Sequence, residues 1–91
     1  MKYIYINAAD REIFPPQKFN TLAEAQAEMR KDFLNAIGED AVKETLENEN
    51  IDLTADYYAC DDFEINETTA WANDAFRNHE NWDGKIFEMP N

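Results

Sequence analysis

The sequence predicts an α+β domain: a small antiparallel sheet of about three strands, in the order β-α-α-β-β, with two helices packed on one face. Three observations predict it. Residues 21–37 carry a helix start followed by an apolar stripe; "KYIYIN" near the N-terminus is β-branched and aromatic; and two strand-like runs, "FEINETTAWAN" and "WDGKIFEM", stand close together late in the chain.

"KYIYIN", Lys2 to Asn7, holds a single charge, as a short buried strand does. "AADREIFPPQKFN" then contains Pro15-Pro16, which removes two backbone donors, so this stretch reads as a loop or crossover. Thr21-Leu22-Ala23-Glu24 is a capping box, in which hydroxyl and carboxylate satisfy the free amides of a helix start. Leu22, Ala25, Met29, Phe33 and Ile37 recur at helical spacing, and Gly38 offers the left-handed stop.

"EDAVKETLENEN" reads as a second helix, with Glu39 and Asp40 at the positive end of its dipole, Val42 and Leu46 as anchors, and Asn48 and Asn50 as the end. "IDLTADYY" is ambiguous between strand and irregular approach. In "FEINETTAWAN", Phe63, Ile65, Thr69 and Trp71 share parity and are expected to face the core, with a bulge or frayed middle where Glu67 breaks the row. "DAFRNHEN" reads as a polar loop before the final strand "WDGKIFEM". A rival reading places a hairpin turn at Asp83-Gly84.

Ninety-one residues make one domain of thin stability margin, able to bury only somewhat over ~60% of its unfolded surface. Its 44% hydrophobic content, with two Gly and three Pro, suits a folded core rather than a disordered tail. One cysteine, Cys60, cannot form an internal disulfide, and no secretory pattern or 20-residue apolar run is present, so the expectation is a cytoplasmic protein without membrane contact. The glycosylation pattern Asn66-Glu67-Thr68 is then a chance match.

Catalytic signatures are missing. The chain has no serine, one cysteine and one histidine; Cys60, flanked by Asp61 and Asp62, should hold its proton, and His79 reads as a surface imidazole. A calcium loop aligned on Gly84 places His79 first and Pro90 twelfth, so that pattern fails, and the acids Asp56, Asp61, Asp62 and Glu64 have no glycine at the required turn. Two isolated glycines build no phosphate cradle. The expectation is therefore no enzyme, no metal and no cofactor.

Charge says more. Eight basic and twenty acidic residues give a net charge of −12, a field that repels nucleic acid and anionic membranes and attracts basic proteins. Residues 44–76 hold ten acids and no base, while 1–43 and 77–91 are each nearly balanced. One reading is a solvated face that keeps a small protein in solution, with Tyr57, Tyr58 and Phe63 in the core. The other is that this field is the working surface. Asp40, Glu44 and Glu47 follow i, i+4, i+7 on the second helix, and Asp62 and Glu64 alternate along a strand; such rows resemble the regular charge of a nucleic-acid backbone. Glu49, Asp52, Asp56, Asp61 and Glu67 extend the field, and Tyr57 and Tyr58 supply the aromatic contacts that charge alone lacks.

Small size, strong acidity, missing catalytic residues and a compact α+β pattern resemble the DNA-mimicking inhibitors of phages and mobile elements, anti-CRISPR and anti-restriction proteins among them. The end of the chain, "AWANDAFRNHENWDGKIFEM", is similar to small proteins of bacterial mobile elements. The resemblance implies a non-catalytic protein that occupies the nucleic-acid groove of a basic bacterial effector in the host cytoplasm, without binding nucleic acid itself. The alternative is a small acidic interaction or regulatory module.

Overall fold

Alternation in the first strand organises the whole sheet: Tyr5 and Asn7 are buried, while Ile4, Ile6 and Ala8 between them lie on the opposite face and are only partly covered. The structure, a computed structural model, describes residues 2–76 and 79–90. Its elements are β1 (Lys2–Ala9), β2 (Glu12–Ile13), β3 (Gln17–Phe19), α1 (Leu22–Ile37), α2 (Glu39–Asn48), β4 (Tyr58–Ala59), β5 (Phe63–Ile65), β6 (Thr69–Ala75) and β7 (Glu80–Met89). Sheet order is β2-β1-β7-β6-β5-β4, with β3 also on β1, and every pairing is antiparallel.

The α+β class agrees with the sequence, but the expected sheet of about three strands is corrected to seven. Three reasons account for the difference. First, β1 continues past Asn7 and folds back through Asp10-Arg11, so β2 and β3 together form one interrupted edge strand on β1. Phe14, Pro15 and Pro16 span the stretch that Ile6 and Asn7 span on β1, a bulge at an edge where missing proline donors cost nothing. Secondly, the break at Glu67 is a hairpin: Asn66 Oδ1 accepts from the amides of Thr68 and Thr69 at 3.1 and 2.8 Å, an Asx turn that splits the run into β5 and β6. The turn shifts parity, so Ala70 and Ala72 face the core with Phe63 and Ile65, whereas Trp71 faces the other side. Thirdly, β4 is two residues long and carries no alternation to read.

The Asp83-Gly84 turn is excluded, because both residues lie inside β7, paired with Ala8 and Asn7. Between Ala72 and Ala75 a second bulge, with Asp74 at φ 56°, adds one residue to β6 and returns Ala75 to the core. The polar loop read at "DAFRNHEN" shrinks to the link between β6 and β7, of which Arg77 and Asn78 lie outside the described residues.

Helix α1 forms as the capping box predicts, with the Glu24 amide on Thr21 Oγ1 at 3.2 Å and that hydroxyl on Glu24 Oε1 at 2.9 Å. It buries Ala25, Met29, Phe33 and Ala36 against β1, β6 and β7. Gly38, at φ 99°, ends α1 and starts α2. Helix α2 packs beside α1 through Val42 and Leu46, and ends with Asn50 at φ 58° and the Ile51 amide on the Leu46 carbonyl at 2.9 Å, a Schellman stop. At the centre the Phe33 ring meets Tyr58, Phe63 and Trp82 with centroids 6.0, 5.7 and 6.2 Å away. The fully buried rings of Phe33, Phe63 and Trp82 each contribute about 1.5–3 kcal/mol through burial.

Candidate functional site

The acidic third of the chain folds into α2, the irregular segment 49–57, the short edge strand β4 and the turns flanking β5. On α2, burial of Val42 and Leu46 fixes the rotation of the helix, which leaves Asp40, Glu44 and Glu47 exposed as the spacing predicts. The Schellman stop then turns the chain so that Ile51 packs on the core and Asp52 points outward. The Asp52 carboxylate accepts from the amide and hydroxyl of Thr54 at 2.8 and 2.7 Å, and these bonds hold its pKa below the ordinary carboxylate value.

Two side chains of α1 tie the next residues down. The Arg30 guanidinium donates to the Asp56 carbonyl at 3.2 Å and lies 4.0 Å from its carboxylate. Gln26 Nε2 donates to the Tyr57 hydroxyl at 3.3 Å and to the Glu67 carbonyl at 3.0 Å, which draws the β5–β6 turn toward Tyr57. Of the two, sequence reasoning missed Gln26. Its signal was available, since Gln26 and Arg30 stand four apart on one face of α1, beside its apolar stripe.

Cys60 lies in the β4–β5 turn. Its thiol is pushed up to about 11, first by burial and then by a hydrogen bond to Glu49 and the charges of Glu49 and Asp61. The α2 C-terminus and the β4–β5 turn are therefore adjacent, and their carboxylates share one region. Asp62, whose carbonyl accepts from Asn73 at 2.8 Å, stands exposed beside them.

Of the twelve residues assigned to this surface, ten are exposed: Asp40, Glu44, Glu47, Glu49, Asp52, Asp56, Tyr57, Asp61, Asp62 and Glu67. Two are placed elsewhere. Tyr58 is half-buried, its ring 6.0 Å from Phe33 and 6.1 Å from Phe63, so it belongs to the core. Glu64 lies opposite Trp71 on the far face of the sheet, because its neighbours Phe63 and Ile65 take the core side. The strand row of Asp62 with Glu64 is thus reduced to Glu64 on β5, with Asp62 in the turn before it. Among the described residues, Asp56 is the one acid of this set in an ion pair.

A pocket of about 450 Å³ opens elsewhere, between α1 and β1, lined by Asn7, Asp32, Asn35, Phe14 and Trp82 among others. Tyr5 donates to Asp32 at 2.9 Å, and burial raises the pKa of both groups. This pocket holds amides and one carboxyl but neither Cys60 nor His79, which stand in separate turns. His79 instead meets Asp74 across the β6 bulge. Among the described residues no three His, Cys, Asp or Glu side chains converge as a metal-holding group, and no helix is long and apolar enough to cross a membrane. Comparison with protein families, with curated proteins and with solved structures finds no match for this chain.

Proposed function

We propose that the chain is a non-catalytic binding protein whose acidic edge docks on a basic protein surface of the kind that grips nucleic acid, and occupies it. A DNA-mimicking inhibitor of a bacterial nucleic-acid-binding effector, acting in the host cytoplasm, is the specific form of this reading. One observation carries it: exposed carboxylates gather on α2, the 49–57 segment and the β4–β5 turn, and outnumber the bases there, Lys43 on α2 and Arg30 of α1 at Asp56, while Lys2, Lys18 and Lys85 lie on β1, β3 and β7. Ten acids without a base in residues 44–76 repel one another in a domain of small margin, and an electrostatic partner is what such an arrangement serves. Tyr57, 42% exposed among these acids, adds an aromatic contact, and β4 ends the sheet with an unpaired edge.

The test is capture of partners from a bacterial lysate at low salt, elution with a salt gradient, and competition with duplex DNA. The complex is expected to weaken steeply with salt and to be displaced by DNA. Replacing Glu44, Glu47 and Glu49 by Gln should weaken it roughly 3- to 160-fold, at about 0.2–1 kcal/mol per exposed charge. Binding that ignores salt and survives this triple substitution would sink the proposal and favour an interaction module with apolar contacts.

A further inference from the structure

Among the described residues, the far face of the sheet has no covering layer. Both helices lie on the other side, so Ile4, Ile6, Trp71 and Phe87 stand on an open surface, with Ile13 beside them across from Ala8. Ile13 is 79% and Phe87 43% exposed, a large apolar exposure for a chain of this size. The same face bears Lys2, Lys18 and Lys85 against Glu64 and Asp83, so it is nearly neutral, net +1, on a chain of net −12.

From this face we infer that the chain forms a symmetric homodimer, two copies packing sheet against sheet. Charge selects the occupant. A basic partner is drawn to the acidic edge, whereas a second strongly acidic copy is repelled by that edge and can approach through this nearly neutral face. The pattern is also self-complementary. Lys18 lies at the β3 side and Glu64 at the β5 side, and a two-fold axis in the interface plane, perpendicular to the line joining them, sets each Lys18 against the partner's Glu64. The same operation brings Trp71 toward Ile4 of the other copy. Lys85, near the axis, has its ammonium 5.2 Å from the Phe87 ring centre, a contact available within its own chain. Area is sufficient: the molecule measures 44 × 30 × 16 Å, and its broad face exceeds the ~800 Å² per partner of a stable interface.

Sedimentation equilibrium across about 5–500 μM protein tests this, at roughly 50 and 500 mM salt, which span weak and strong screening. The mass should move from 10.6 kDa toward twice that value, and more readily at high salt, because screening relieves the repulsion between the two acidic bodies. Phe87→Glu should return the protein to monomer with its circular dichroism unchanged. Lys18→Glu and Glu64→Lys should each weaken self-association, since each homodimer then faces like charges twice. An equimolar mixture of these two variants should associate again, because both contacts become opposite-charge pairs. A parent chain that stays monomeric at the highest concentration and salt overturns the inference. So does a dimer indifferent to Phe87→Glu, or a mixture no tighter than its components.

Discussion

Gly84→Ala tests the packing on which the sheet depends. Gly84 sits inside β7 opposite Asn7 and Ala70, where an added Cβ would lie 3.1 Å from Tyr5 Cε1 and 3.2 Å from Trp82 Cη2. Two terms of opposite sign compete. Alanine restricts the unfolded chain and suits a strand better, worth about 0.4–1 kcal/mol. Against that, the neighbouring rings must give way by a few tenths of an ångström, and neither can do so freely. Tyr5 is 0% and Trp82 2% exposed, and each is pinned at its tip, Tyr5 on Asp32 at 2.9 Å and Trp82 on Asn7 at 3.1 Å. Overpacking of this kind costs about 1–3 kcal/mol, so the net loss should be near 1–2 kcal/mol. For a domain of this size that is roughly a 4–16 °C fall in Tm. Thermal and urea unfolding followed by circular dichroism and tryptophan fluorescence read it directly. An unchanged or raised Tm would refute the reasoning, and would mean that the two rings are not held where the hydrogen bonds place them.

Other perturbations read other parts of the structure. With the Cys60 thiol pushed up to about 11, iodoacetamide at pH 8 should modify folded protein roughly 100-fold more slowly than urea-unfolded protein; equal rates contradict the burial of Cys60 beside Glu49. Tyr5 has its pKa raised above the ordinary phenol value, so its contribution to stability is complete below about pH 10 and is lost as pH climbs beyond that. Tyr5→Phe should flatten this alkaline loss while lowering stability at pH 7 by about 1–3 kcal/mol, and should raise the Asp32 pKa further, as followed by NMR titration. Asn66→Ala removes the acceptor of three turn bonds, to the amides of Thr68 and Thr69 and the Thr69 hydroxyl, and should cost about 1–2 kcal/mol in urea unfolding; a neutral result would show that strand pairing alone sets the β5–β6 turn.

What could be read from the sequence was whatever is local. The start of α1 at Thr21, its stop at Gly38, the anchors Val42 and Leu46 and the end of α2 at Asn50 follow from side chains acting within a turn or two. The sheet was harder to read because its pairings are remote: β1 lies beside β7, and the residues that make β2 and β3 strands are defined by β1 rather than by their own propensity. Pro15-Pro16 signals a loop in isolation and an edge bulge only once a neighbouring strand is known. At the acidic surface, exposure of Asp40, Glu44 and Glu47 was legible from helical spacing. The inward turn of Tyr58 and the far-side placement of Glu64 were not, since both depend on which face of a two- or three-residue strand the core claims.

The fold separates charge in a way that gives its two surfaces opposite responses to salt. Carboxylates crowd α2 and the β4–β5 turn, while the open sheet face keeps three lysines against two acids around its apolar centre. An association through the acidic edge rests on attraction across water and loses strength as ions screen it. Packing through the sheet face rests on apolar burial, opposed by the mutual repulsion of two acidic bodies, and gains strength under the same screening. The sign of the salt response therefore tells which surface a given complex uses. A partner held at low salt and released at high salt sits on the acidic edge, and a species that grows with salt and disappears on Phe87→Glu sits on the sheet.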